Sequence, residues 1–277
     1  MTDKPGQTRR AFTGGAASLA AAAGLYSARP PPARASTTDL DQILAGLDVR
    51  GAFACLDLAT DRLSLANASR AGQRMIPAST FKIANSLIAL ETAAVRGDDE
   101  LFRWDGMAKE FKAWEQDLTL RQAIAASSVP VFQEIARRVG ISRYEHWLEK
   151  IEFGNGITGT DVDRFWLDGP LKISAIEQTS FLAALALHQL PMSRRPQEIV
   201  RDMLRVETRG NLALFAKTGW CRATTPNIGW WVGWVERIEA SGPRIHTFAL
   251  NIDMEGADDL PKRIIIGKSL LSTLSIY

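Results

Sequence analysis

Apolar residues run almost unbroken through Gly51-Ala52-Phe53-Ala54-Cys55-Leu56-Asp57-Leu58, which predicts a buried strand. Thr60-Asp61-Arg62 supplies a turn, and Leu63-Ser64-Leu65 alternates as a second strand should. Before them, Thr38 to Leu47 has the spacing of a short amphipathic helix. Pro77 then breaks the chain, and a buried helix is expected from Ser79 to about Val95, ended by Gly97 and Asp98. The middle of the chain is helical and loop-rich. Helices are expected at Leu120–Ala126, from Pro130 to Val139, and from a Ser142 cap to about Ile151. A loop rich in Gly, Asn, Thr and Asp follows from Gly154 to Asp163. Ser174-x-x-Glu177 is a capping-box pattern ahead of a long apolar helix to Leu190, and Gln197 to Val206 is a further helix. The end returns to strands at Leu212–Lys217, Ile228–Val235 and Thr247–Ile252, then a helix from about Arg263 to Leu274.

Two strands, a block of helices, three strands and a helix cannot form a repeating βαβ unit. The predicted fold is α+β: one antiparallel sheet from the N- and C-terminal strands, flanked by helices (about 36–76 and 205–277), with a mainly helical second lobe (about 77–204). The 277 residues suffice for one large domain or two interleaved lobes.

Charge changes this picture at one end only. The formal net charge is +2, but residues 1–35 hold Lys4, Arg9, Arg10, Arg29 and Arg34 against Asp3 alone, a surplus of four, so the remaining chain carries −2. Thr8-Arg9-Arg10-Ala11-Phe12-Thr13, a mild apolar run from Ala16 to Leu25, and Ala33-Arg34-Ala35 are the parts of a cleavable secretory signal of twin-arginine type. The apolar run is about half the ~20 residues that span a bilayer. Cleavage after Ala35, delivery to the periplasm and a mature chain (36–277) without a membrane span are the expectations. A nearly neutral mature chain carries no nucleic-acid footprint. His146, His188 and His246 lack paired-ligand spacing, so no metal site is expected. Cys55 and Cys221 are left open between a disulfide and free thiols, and the oligomeric state between monomer and homodimer.

The candidate chemistry starts at Ser79-Thr80-Phe81-Lys82. Residues at i and i+3 share a helix face, so the Ser79 hydroxyl and the Lys82 amine can meet. A serine needs a base to become a nucleophile. A lysine near its ordinary ~10.4 is already protonated, but the apolar surroundings Phe81, Ile83, Leu87 and Ile88 disfavour its charged form. Taken alone, the tetrapeptide is better read as a surface serine beside a solvated lysine. Ser127-Ser128-Val129 follows between two helices, and Lys217-Thr218-Gly219-Trp220 ends a strand. Each of these is also weak alone, but the ordered set Ser-x-x-Lys, serine-bearing loop, Lys-Thr-Gly is the one used by penicillin-recognising serine enzymes.

On these residues the chain resembles the class D serine β-lactamases, the oxacillinases, over nearly all of its mature length. Phe153-Gly154-Asn155 stands where the family usually has Tyr-Gly-Asn. Phe165-Trp166-Leu167-Asp168-Gly169 resembles its tryptophan-bearing omega loop, and Leu260-Pro261-Lys262-Arg263 the segment presenting a carboxylate-binding arginine. No Glu-x-x-Leu-Asn string occurs to supply the glutamate base of class A. The resemblance implies hydrolysis of a small-molecule β-lactam through a Ser79 acyl-enzyme, without metal or organic cofactor. Lys82, carboxylated by carbon dioxide (bicarbonate in solution) to N6-carboxylysine, is implied as the general base in both half-reactions. Ser127 is implied as proton relay, the backbone N–H groups of Ser79 and Trp220 as oxyanion hole, and Lys217, Thr218, Gly219 and Arg263 as the substrate-carboxylate site. Trp166 is implied as a donor to the carbamate and Val129 as its shield; read by themselves, both would be packing residues. The Phe153 departure removes a phenol. The alternatives are a β-lactam sensor or a transpeptidase-like domain, which acylate without fast turnover.

Overall fold

A computed structural model of the protein describes Met1, Thr2 and Leu40–Tyr277, so the proposed signal, with the start of the first helix, lies outside the described residues. The strands are β1 (Gly51–Asp57), β2 (Arg62–Ala66), β3 (Leu101–Phe102), β4 (Leu118–Thr119), β5 (Arg205–Arg209), β6 (Leu212–Cys221), β7 (Asn227–Glu239) and β8 (Gly242–Met254). The helices are α1 (Leu40–Gly46), α2 (Ala68–Ala71), α3 (Lys82–Glu91), α4 (Leu120–Ala125), α5 (Val129–Val139), α6 (Ile141–Lys150), α7 (Ala175–Ala186), α8 (Arg194–Leu204) and α9 (Lys262–Thr273).

Six strands form one antiparallel sheet in the order β2-β1-β8-β7-β6-β5, so the N-terminal hairpin joins the C-terminal meander as the α+β expectation required. All of β1 is buried. Its alternate side chains divide between two cores: Ala52, Ala54 and Leu56 belong to the core that also holds residues of α3, α5 and α7, whereas Phe53 and Cys55 belong to the one that holds residues of α1 and α9. A strand covered on both faces reads as a continuous apolar run, which is why its sequence shows no clean alternation. Helix α7 crosses the inner face against β1, β7 and β8. Its capping box forms in full: Ser174 Oγ accepts from the Glu177 N–H, and the Glu177 carboxylate accepts from the Ser174 N–H.

The structure corrects several boundaries. The Ser79 helix opens as a 3-10 turn over Ala78–Phe81 and stops at Glu91, because Ala93 takes a φ of 55°. Gly140, at φ 82°, occupies the N-cap of α6, where Ser142 was expected; the chain must reverse there, and that backbone favours glycine. The capped helix α7 ends at Ala186 rather than Leu190, and α8 covers Arg194–Leu204 rather than 197–206. Residues 205–209 form edge strand β5. Both cysteines are free and buried. They lie on β1 and β6 with β8 and β7 between, and three strand spacings of about 4.8 Å exceed disulfide reach.

Candidate active site

Two turns with unfavourable backbone present the candidate hydroxyls. Ala78, just before Ser79, has φ 48°, and Ser127, between α4 and α5, has φ 55°. Non-glycine residues in this region cost roughly 1–2 kcal/mol each, so the surrounding contacts must hold them. At the first turn Thr80 Oγ1 donates to the Pro77 carbonyl (2.8 Å) and accepts from Gln178 Nε2 (3.0 Å), and Trp230 Nε1 donates to the Ile76 carbonyl (2.9 Å). At the second, Trp114 Nε1 donates to the Ala126 carbonyl (2.9 Å).

The third wall is the far half of β6. Strand β5 pairs only with Leu212–Phe215, so from Ala216 onward the outer edge of β6 has no strand partner among the described residues. Lys217, Thr218, Gly219 and Trp220 therefore offer backbone groups toward the Ser79 turn. Gly219 permits the approach: a Cβ there would stand 3.0 Å from the Pro77 carbonyl oxygen and 3.1 Å from Thr80 Cγ2.

These elements enclose a cavity of about 760 Å³ lined by Ser79, Ser127, Val129, Thr218, Gly219, Trp220 and Arg263, seven of the ten residues singled out from sequence. Lys82 and Lys217 are buried and reach it through hydroxyls. Lys82 Nζ lies 2.8 Å from Ser79 Oγ, and Lys217 Nζ donates to Ser127 Oγ at 2.9 Å. Burial holds the Lys82 amine well below the usual lysine range, helped by the positive charge of Lys217. Burial, with Arg263 nearby, lowers Lys217 to about 7, and burial lowers Arg263 to about 10. Arg263 donates Nη1 to the Gly219 carbonyl (2.7 Å) and Nε to the Leu260 carbonyl (2.8 Å). It thus ties α9 to the end of β6 and keeps N–H groups for an anion.

Such a site can hold an anion beside a serine whose neighbouring amine is held well below the ordinary lysine pKa by burial. Lys217 is half-charged near neutrality. The KM for a carboxylate-bearing ligand is expected to rise as pH climbs through about 7, when Lys217 loses its proton. Lys217→Arg, which stays charged, should flatten that limb in a kcat/KM profile from about pH 5.5 to 9.

The tryptophan-bearing loop from Phe153 to Ser174 closes on itself. Asn155 Nδ2 donates to the Pro170 carbonyl, and its Oδ1 accepts from the Lys172 N–H. Trp166 is fully buried within this loop, its ring 5.5 Å from Phe81 and 5.0 Å from Phe165. Its indole N–H has no hydrogen-bond partner among the described residues.

Residues 51–272 match the family described as the penicillin binding protein transpeptidase domain. Beta-lactamase OXA-5 of Pseudomonas aeruginosa is 41% identical over 231 residues, covering 82% of this chain and 85% of its own. Beta-lactamase OXA-48 of Klebsiella pneumoniae is 43% identical over 205 residues, covering 74% and 76%. The crystal structure of a class D beta-lactamase, YbXI from Nostoc, superposes with a TM-score of 0.82 at 38% identity, over 86% of this chain and 99% of that one. The chain belongs to the class D β-lactamases. The departure at Phe153 from the class D pattern is absorbed by packing: the ring is buried 5.6 Å from Phe81 and 5.1 Å from Phe181.

Sequence reasoning in terms of class D motifs missed Gly229. A Cβ there would lie 2.1 Å from Met254 Sδ and 2.9 Å from Arg263 Cδ, so this glycine makes room for the arginine stem. Its signal was a glycine inside a strand, which marks close approach. Gly229→Ala is expected to displace Arg263 and raise KM for carboxylate-bearing substrates by about tenfold or more, with a smaller change in kcat. An unchanged KM would show that Met254 alone yields.

Proposed function

We propose that this class D β-lactamase hydrolyses the strained amide of β-lactam antibiotics through an ester on Ser79. The observation that carries the reading is the 2.8 Å contact between Ser79 Oγ and the buried amine of Lys82, held well below its ordinary pKa. In this reading Ser79 Oγ attacks the lactam carbonyl and gives its proton to the Lys82 side chain. The backbone N–H groups of Ser79 and Trp220 receive the oxyanion. Ser127, held by Lys217, passes a proton to the departing nitrogen as the C–N bond breaks. Lys217, Thr218 and Arg263 hold the substrate carboxylate by charge-assisted bonds.

The chemistry of the Lys82 amine suits addition of carbon dioxide. Only a neutral amine adds it, and the buried Trp166 indole offers a donor without a partner. Added to Lys82, it would supply an anionic oxygen able to accept a proton in both acylation and deacylation. Val129 lines the cavity wall where it could limit water access. We further read residues 1–35 as a twin-arginine signal for export to the periplasm, on the strength of the sequence pattern.

The test is hydrolysis of a chromogenic cephalosporin by residues 36–277. Many turnovers per chain, with a transient adduct mapping to Ser79, is the expected result. A single stoichiometric burst with a stable Ser79 adduct would overturn the hydrolase reading. It would favour an acyl-trapping sensor or a transpeptidase-like activity, which the matched transpeptidase domain makes the natural second reading.

A further inference from the structure

An ion pair that none of the catalytic motifs contains stands in the lining of the cavity. On one side lies the segment from Arg103 to Glu115, which follows β3. It is bonded within itself: Trp104 Nε1 donates to the Met107 carbonyl (2.8 Å), the Lys109 amine to Asp105 (2.6 Å), and the Lys109 N–H to Glu115 (3.2 Å). Its far end is pinned to the Ser127 turn by Trp114. On the other side is the end of β6. Arg222 is the first residue beyond β6, and its guanidinium lies 5.0 Å from the ring centre of Trp220 on that strand. From there both its terminal nitrogens reach across to Glu110, Nη1 to Oε1 at 2.6 Å and Nη2 to Oε2 at 2.8 Å. Glu110, Phe111, Trp220 and Arg222 all line the cavity.

We propose that the Glu110–Arg222 pair is a strap over the site and determines which β-lactams enter, admitting compact acyl side chains more readily than bulky, rigid ones. The proposal rests on the β-lactamase reading given above. Three features support a strap rather than a fixed wall. The fork-to-fork geometry is directional and strong for its class, so the strap has a defined closed position. Both side chains are about half exposed, 54% for Arg222 and 42% for Glu110, so the pair breaks easily and is screened by salt. The loop's own hydrogen bonds do not involve Arg222, so the pair is an added tie between the loop and the end of β6, and its loss loosens the loop. The contact with the Trp220 ring holds the arginine beside the site in the closed position.

The test compares kcat/KM for benzylpenicillin with that for a penicillin whose acyl group is a substituted isoxazole. Arg222→Gln and Glu110→Gln are each expected to raise the bulky-to-compact ratio by about fivefold, mostly through KM, the size of effect an exposed bidentate pair supports. The double variant should match either single one, because one interaction is removed once. Raising salt to about 0.5 M should raise the ratio in the wild type and leave it unchanged in the variants. Both substrates carry the same carboxylate, so the salt effect on Lys217 and Arg263 cancels in the ratio. Equal ratios in wild type and variants, or an effect of Arg222→Gln that Glu110→Gln does not reproduce, would overturn the strap.

Hydrogen exchange of the 103–115 segment reads the strap without turnover. Faster exchange at high salt in the wild type, and salt-independent fast exchange in both variants, is expected. Exchange indifferent to salt and to both substitutions would overturn the strap even in an active enzyme. A salt-sensitive segment in a protein that turns over no β-lactam would instead refute the hydrolase reading and leave the strap standing.

Discussion

Lys82→Met is expected to abolish turnover and make the protein more stable. Removing a positioned general base costs about 10²–10⁴-fold, and here the same group faces the nucleophile, so a loss of at least about 10³-fold in kcat/KM is expected. The stability gain follows from the buried amine. Lys82 is 0% exposed, and burial, then the charge of Lys217, holds its pKa well below the ordinary value. In the unfolded chain a lysine binds its proton up to about pH 10.4. Between the depressed folded value and about 10.4 the unfolded state therefore holds a proton that the folded state lacks. Stability then rises with pH across that window and is reduced by about 1.4 kcal/mol for each unit below its upper end.

Methionine is of similar length, apolar and without this penalty. At pH 7, well below the ordinary lysine value, the variant is expected to be the more stable protein, with a higher Tm. The gain should shrink toward zero as pH approaches about 10. Thermal melts of both proteins in buffer stripped of carbon dioxide, at several pH values, check this. A variant that is less stable, by an amount independent of pH, would show that the native lysine is charged.

The depressed lysine illustrates what could be read from the residues. Ser-x-x-Lys in apolar company implied a neutral amine next to a hydroxyl, and that geometry is present although the segment begins as a 3-10 turn. Local patterns also located α4, α5 and the α7 capping box, whose signals lie within a few residues. Nonlocal features were hidden. Strand β5 alternates only weakly, and its hydrogen bonds come from β6, so its residues read as the end of a helix. Strands β7 and β8 extend well past the predicted segments, because their paired ends, such as Glu239 opposite Gly242, leave the core and lose the apolar pattern. Arg222 and Glu110 are 112 residues apart, and nothing in either neighbourhood announces the other. Gly229 was visible as a glycine in a strand, yet its purpose depends on where α9 sends the Arg263 stem.

Trp166→Phe is expected to uncouple the protein from carbon dioxide. A buried N–H without a partner costs about 1–3 kcal/mol, and Trp166 carries one at 0% exposure. The ring is already held by Phe81 and Phe165, so packing alone accounts for an aromatic residue here but not for an indole. On the proposed reading, the open donor has its use when an anion forms on Lys82. Phenylalanine keeps most of the ring contact and deletes only the donor. The bicarbonate concentration giving half-maximal activity should therefore rise by about 10–100-fold, the range for losing one orienting hydrogen bond to a bound group. In the wild type, added bicarbonate should also raise Tm, since a ligand of the native state alone stabilises it. The variant should show little such rise, and because each protein is compared with itself, the packing lost with the smaller ring drops out. A carbon-13 carbamate signal of equal strength in both proteins at the same bicarbonate concentration would return Trp166 to the role of a packing residue. It would also require another donor for any anion on Lys82.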